Sequence, residues 1–360
     1  MTQKAVQKVA LVVAATLLLI VGAGLGYRAF RQQQNASLAA IVTPNGIQES
    51  MFVPIGGIDQ WVEIRGRDRR NPVILFVHGG PGGSVTPLAR IFQSWEQDFT
   101  VVMWDQRCAG KTFSRNGAES CKGMSVASVA EEGVILTAYL RDHLGQDQVI
   151  LLGHSWGTMV ALKMTKDRPD LYSAYVGTGQ VVSIAEKETM IYSATLDKLR
   201  AAQDAAAIRA MEDVGPPPYA VFQDLLVQRR FSSRFDLPSE RDIQMTMAPT
   251  ALFAPGWSLL ELYQAFFSAQ DYAGPATFDA DASYDARRLG ADFETPIYIF
   301  NGEFDSITPT SLAQSYLETV TAPEKAFVVL TGVGHSGVLT EPEVFLRELK
   351  AHVSHQAGSP

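Results

Sequence analysis

The stretch VILLGHSWGTMVALKM (149–164) decides how this chain reads. VILLG (149–153) is an apolar, β-branched run, the pattern of a strand buried on both faces. Ser155–Asp167 reads as a helix that stops before Pro169. The junction is Gly153-His154-Ser155-Trp156-Gly157, a G-x-S-x-G turn from strand to helix. That turn is so tight that its close neighbours must be glycine, and it lifts the serine hydroxyl above the sheet. Ser155 is therefore the candidate nucleophile. The backbone N–H of Trp156 opens the following helix and is a candidate donor to an oxyanion.

Outward from this turn, strands and helices alternate. VILFV (73–77), TVVMW (100–104), AYVG (174–177), IYIF (297–300) and AFVVL (326–330) read as strands. Ser125–Leu144 reads as a helix, with Val126, Val129, Ala130, Val134 and Leu140 on one stripe and Gly145 as its stop. Further helices are expected at 310–320 and 341–352. FVPI (52–55) and WVEIRG (61–66) flank Gly56-Gly57 as a hairpin. This alternation predicts an α/β fold, a mostly parallel sheet with helices on both faces. From 183 to 290 the rhythm stops and the chain becomes helix-rich, which we read as a helical cap inserted into the core. The core is then 48–182 together with 291–360.

A serine nucleophile needs a base, and the base needs an orienting carboxylate; on such turns the chain order is Ser, acid, His. Of the six histidines, His78, His143 and His154 precede Ser155, and His352 and His355 lie at the C-terminal end. His335 alone follows a strand on a Gly-rich loop, TGVGHS (331–336), and is the candidate base. The acid should end the preceding strand. IYIF runs into Asn301-Gly-Glu-Phe-Asp305, so Asp305 is the candidate and Glu303 the runner-up. HGGPGG (78–83) follows VILFV directly. Its glycines allow backbone N–H groups to approach a substrate oxygen, which makes Gly79 or Gly80 the second candidate oxyanion donor. His78 is expected to shape that loop by hydrogen bonding.

The chain has 360 residues, of which 46% are hydrophobic and 19% charged, too apolar for a disordered chain. With 30 basic and 38 acidic residues its net charge is −8, which argues against a nucleic-acid partner. Two cysteines exclude a disulfide scaffold and a Cys-rich zinc module, and no cluster has metal-ligand spacing. No metal or organic cofactor is expected. Residues 1–30 stand apart: Lys4 and Lys8 precede an uncharged run from Val9 to Tyr27, followed by Arg28 and Arg31. As a helix that run spans about 28 Å, close to the thickness of a bilayer core. A retained membrane anchor with a cytoplasmic N-terminus fits this better than a cleaved signal or a buried core helix. Residues 31–47, with RQQQNAS at 31–37, read as a polar linker.

HGGPGG, WDQR (104–107), GHSWG, the Asp305 loop and the VGH loop together resemble the α/β-hydrolase fold. The HGGPG and WDQR pair resembles proline iminopeptidases (prolyl aminopeptidases) and their relatives over residues 48–352. The resemblance implies a Ser155/Asp305/His335 triad, a cap over the site and release of N-terminal residues, often proline. It also implies that cap carboxylates hold the substrate's free amine, for which Glu186, Glu188 and Glu261 are candidates. Trp104, Asp105 and Arg107 are expected to brace the oxyanion loop. The chain lacks the Trp-rich, Glu-containing second cap motif of the characterised enzymes and carries an anchor where they are soluble. Cys108 stands where relatives have Gly; in an extracytoplasmic compartment it and Cys121 form a disulfide or remain two separate thiols. The expected chemistry is an acyl-enzyme on Ser155 with a small peptide substrate. A carboxylesterase or small-amide hydrolase of the same fold and an inactive membrane-tethered binding protein are the alternatives. Oligomeric state is not legible.

Overall fold

The computed structural model describes residues 3–353, so His355 lies outside it. Eight strands form one sheet: β1 (Ile47–Ile55), β2 (Ile58–Gly66), β3 (Val73–Val77), β4 (Thr100–Asp105), β5 (Val149–His154), β6 (Tyr172–Thr178), β7 (Ile297–Gly302) and β8 (Lys325–Leu330). Their order across the sheet is β1-β2-β4-β3-β5-β6-β7-β8. The β1–β2 hairpin turns at Gly56-Gly57 and joins β4 antiparallel; every pairing from β4 to β8 is parallel.

The continuous apolar strands are buried because both faces of the sheet are covered. In β3, Leu75 and Val77 pack on one side with Val129, Leu136, Leu140, Val160 and Leu162. Ile74 and Phe76 pack on the other with Phe92, Trp95, Phe345 and Leu349. The helix Val126–Leu144 begins on a capping box in which Ser125 accepts from the Ser128 amide, and Gly145 ends it in the left-handed region. Ala313, Tyr316 and Leu317 of Thr310–Thr319 join the first layer, and Phe345, Leu346 and Leu349 of Pro342–Val353 the second.

Between β6 and β7 the described chain holds helices and no strand. They run from Ile184 to Leu289 and cover the C-terminal ends of the parallel strands. Val182–Ser183 and Tyr284–Ala286 close the base of this cap: the Ile184 amide donates to the Tyr284 carbonyl and the Ala286 amide to the Val182 carbonyl.

The N-terminal helix differs from the expected anchor followed by a linker. It is continuous from Gln3 to Leu38, so RQQQNAS is helical. The physical reason is tertiary. Arg28 donates to the carbonyls of Leu252 and Trp257, Gln32 to those of Ala254 and Trp257, and Asn35 to that of Phe253. These polar side chains satisfy the backbone acceptors left open where the cap helix Ile243–Leu252 ends. Val6–Leu38 is the one helix among the described residues long and apolar enough to cross a membrane, and its apolar stretch is fully exposed.

Candidate active site

Ser155 sits at φ 53° and ψ −126°, a conformation that L-residues adopt only under constraint. Its amide donates to the Thr178 carbonyl at the end of β6. The helix Trp156–Asp167 then lies so close to β3 that a Cβ on Gly157 would come within 2.1 Å of the Val77 carbonyl oxygen. Glycine at 157 is thus a packing requirement of the turn.

His335 and Asp305 reach this serine from the loops after β8 and β7. His335 Nε2 lies 2.9 Å from Ser155 Oγ, and Nδ1 lies 3.0 Å from each Asp305 carboxylate oxygen. Asp305 Oδ1 also accepts from the amides of Ile307 and Thr308, at 3.0 and 2.7 Å, and Oδ2 from the Thr308 hydroxyl at 2.6 Å. Burial by itself would raise the Asp305 carboxyl. The His335 charge and the bonds from His335 and Thr308 outweigh it and hold the group below the usual carboxylate range. Burial works against the His335 imidazolium, but Asp305 outweighs it by charge and hydrogen bond, Glu240 adds to this, and the pKa is raised. The neutral imidazole in this setting holds its proton on Nδ1, against Asp305, and leaves Nε2 to accept from Ser155.

The HGGPGG loop packs against the nucleophile. A Cβ on Gly79 would come within 2.7 Å of both Ser155 Cβ and the His154 carbonyl oxygen, so only glycine brings this backbone to the serine. Trp156 is the first residue of its helix, and its amide has no acceptor within it. Gly80, Ser155 and Trp156 line one cavity.

The residues around the loop divide. Buried His78 bonds through Nδ1 to the Gly79 carbonyl and accepts at Nε2 from the Gln106 amide. Burial pushes it down to about 4, so it is neutral and structural. Asp105 accepts from Ser84 and Thr86, just beyond the glycines, and Gln106 donates to the His78 carbonyl. Trp104 and Arg107 do not brace this loop. Trp104 donates to Gln60, and Arg107 pairs with Glu132 beside the hairpin turn. Cys108 and Cys121 are joined in a disulfide. Cys108 holds φ 58°, a left-handed backbone of the kind that glycine adopts most readily. His154, also buried, is pushed down to about 3 by burial and the neighbouring His335 charge.

The cavity above Ser155 has a volume of about 420 Å³, with walls from both core and cap. The three glutamates expected to hold an amine are not equivalent there. Glu186 is half exposed and pairs with Arg287, and Glu261 caps its own helix by accepting from the Ser258 amide. Neither lines the cavity, because each points outward from its helix to a local partner. Glu188 does line it, but both oxygens are taken: Oε1 by Lys187 and Arg229, Oε2 by Gln228 at 2.6 Å.

Several groups in and beside the cavity carry no sequence signal. Asp271 and Asp281 line it, and Asp281 accepts from the Trp156 indole N–H at 3.0 Å. Glu240, on the short turn Pro238–Arg241 of the cap, accepts from the Ser336 amide beside His335 with both oxygens at 3.0 Å. No motif marks these, since their position depends on how cap helices pack. Thr308 was findable: a hydroxyl three residues after an aspartate is a local turn pattern.

A doubly covered, mostly parallel sheet with Ser, Asp and His after its fifth, seventh and eighth strands defines the class. The chain belongs to the α/β-hydrolase fold family, whose sequence profile matches residues 72–342. It is 26% identical over 304 residues to the probable aminopeptidase YbaC of Bacillus subtilis, covering 84% of this chain and 95% of that protein. It is 25% identical over 299 residues to the proline iminopeptidase of Lactobacillus delbrueckii subsp. lactis, covering 81% and 92%. A bacterial membrane phospholipase A superposes with a TM-score of 0.62 at 16% identity, covering 97% of this chain and 99% of that one, a likeness of fold.

Proposed function

We propose that the protein is a serine hydrolase that works through an acyl-enzyme and releases N-terminal residues from small peptides. The observation that carries this is the hydrogen-bonded Ser155–His335–Asp305 relay on the floor of a cap-covered cavity. His335 Nε2 takes the Ser155 proton as Oγ attacks the substrate carbonyl. The amides of Trp156 and of Gly79 or Gly80 receive the charge that forms on oxygen. The tetrahedral intermediate collapses, its C–N bond breaks, and the leaving amine takes the proton from His335. Water then gives its proton to His335 and attacks the acyl-enzyme; the acyl–Oγ bond breaks, Ser155 Oγ takes the proton back from His335, and the acid is freed. Asp305 stays ionised throughout and stabilises the imidazolium.

The aminopeptidase reading draws on the similarity to YbaC and on Asp271 and Asp281, which face the cavity and can hold a cationic amine. Carboxylester or small-amide hydrolysis is the second reading. It is favoured by the apolar walls, among them Met159, Val181, Phe222 and Leu226, and by the neutralised Glu188. The relay weighs against an inactive tether.

We read the N-terminal helix as a retained anchor with the catalytic body extracytoplasmic. The bonds from Arg28, Gln32 and Asn35 to the cap and the Cys108–Cys121 disulfide support this. So do exposed Leu259, Leu260, Tyr263 and Phe267, which follow the Trp257 carbonyl that binds Arg28, a fitting place for a membrane-facing patch.

The test is a panel of prolyl, alanyl and other aminoacyl arylamides against short acyl esters, with detergent-solubilised full-length protein and Ser155→Ala. Turnover of aminoacyl amides that Ser155→Ala abolishes is expected. Ester turnover with no aminoacyl amide cleaved would move the assignment to an esterase. No turnover and no labelling of Ser155 by a serine-directed phosphonate would return it to a binding protein.

A further inference from the structure

The cavity wall holds a charge cluster that the catalytic relay does not use. Lys187 and Arg229 both donate to Glu188 Oε1, and Gln228 fills Oε2 while its own carbonyl accepts from Tyr219. Lys187, Glu188, Tyr219 and Arg229 all line the cavity that holds Ser155. Two cations therefore share one carboxylate oxygen. Arg229 Nη1 is buried and finds no hydrogen-bond acceptor among the described residues.

A buried guanidinium nitrogen without an acceptor is costly. Asp271 also lines the cavity, from the cap helix Ala269–Asp281, while two further carboxylates are engaged elsewhere. Asp305 serves His335, and Asp281 accepts from Trp156 and the Val126 amide. Lys187 is close enough to the relay for its charge to act against the His335 imidazolium. Burial pushes Lys187 down to about 8, the mark of an ammonium that lacks full compensation. Within this cluster two cations share one carboxylate, so an anion entering the cavity beside them would balance the cluster's remaining positive charge.

We propose that Arg229 and Lys187 form a carboxylate-binding subsite, so that the substrate presents an anionic carboxylate to the cap while its scissile carbonyl lies at Ser155. This rests on the proposed serine hydrolase and narrows its substrate class. The carboxylate belongs either to the C-terminus of a very short peptide or to the acyl part of a dicarboxylic ester or amide. Glu188 holds the two cations in place and is not itself a ligand for the substrate amine.

Matched substrate pairs test this with the full-length protein. One pair is a prolyl or alanyl dipeptide with a free C-terminal carboxylate and the same dipeptide as its C-terminal amide. The other is the nitrophenyl hemisuccinate and the nitrophenyl butyrate. The wild-type enzyme is expected to favour the anionic member of at least one pair by about ten- to a hundredfold in kcat/KM, the range of a charge-assisted hydrogen bond. Which pair responds identifies the source of the carboxylate. Arg229→Gln is expected to remove most of that preference through KM. The Glu188→Gln/Arg229→Gln double variant, which leaves no buried carboxylate short of its arginine, should do the same if the single variant folds poorly. Equal handling of acid and neutral members by the wild type overturns the subsite whatever the variants do. Cleavage of aminoacyl substrates with no anion preference defeats the subsite and leaves the aminopeptidase reading intact. A hemisuccinate preference without aminoacyl turnover does the reverse.

Discussion

At the scale of single residues, His335 balances opposing influences. Burial and Lys187 work against its charged form, while Asp305 and Glu240 favour it, and the balance lies above the ordinary histidine value. A general base must be neutral, so hydrolysis should rise with pH as His335 loses its proton. Glu240 touches no reacting atom; it acts by holding the Ser336 amide and by its charge. Glu240→Gln keeps an acceptor for that amide and removes the charge, so the His335 pKa should fall. The acidic limb of the kcat/KM profile is then expected to move to lower pH; an unmoved limb would leave Glu240 a purely structural clamp. Ser155→Ala should lower kcat by roughly 10⁴- to 10⁶-fold with the melting temperature little changed. Ser155, Asp305 and His335 were legible because each follows a recognisable strand. Glu240, Asp281 and Arg229 were not, since a charged residue on a cap helix reads like any solvated charge until the helices are packed.

Elements decide how firmly these residues are held. Gly153-His154-Ser155-Trp156-Gly157 works because β5 and the following helix are both anchored in the core, which lets Ser155 stay at positive φ. Beside it, the Cys108–Cys121 bond closes a loop between β4 and the helix Val126–Leu144. For a loop of this length a disulfide contributes about 3 kcal/mol, mainly by restricting the unfolded chain. Cys108→Ala/Cys121→Ala should lose roughly that much in chemical denaturation, and a reductant should lower wild-type stability by a similar amount while leaving the double variant unaffected. Most strands and core helices could be read from apolar periodicity, because burial on one or two faces imposes it. Residues 31–37 could not. Their polar side chains look like a spacer, and they are helical because those same side chains bond the cap.

For the whole molecule, the membrane-sized helix and the cap form one connected unit. Arg28, Gln32 and Asn35 supply donors to the carbonyls at 252–257, and Arg90 from the core bonds Asn35 in turn. Each such bond is worth about 1 kcal/mol. Deletion of residues 1–26 should leave cap stability unchanged, while deletion of 1–38 should speed limited proteolysis within 243–260 and lower the melting temperature. Equal protease resistance in the two truncations would show that the cap stands without the helix. The sequence by itself determined the sheet, the placing of Ser155, Asp305 and His335 after strands, and an apolar N-terminal segment of membrane length. Those features follow from local pattern: buried strands must be apolar, a strand-to-helix turn must be glycine-rich, and a membrane-length helix must lack charge. Only the tertiary structure decided which cap charges face Ser155, that Glu186 and Glu261 turn away from it, that Cys108 meets Cys121, and that a polar stretch is bound helix. These depend on surfaces brought together from distant parts of the chain, where a side chain's role is set by its neighbours in space.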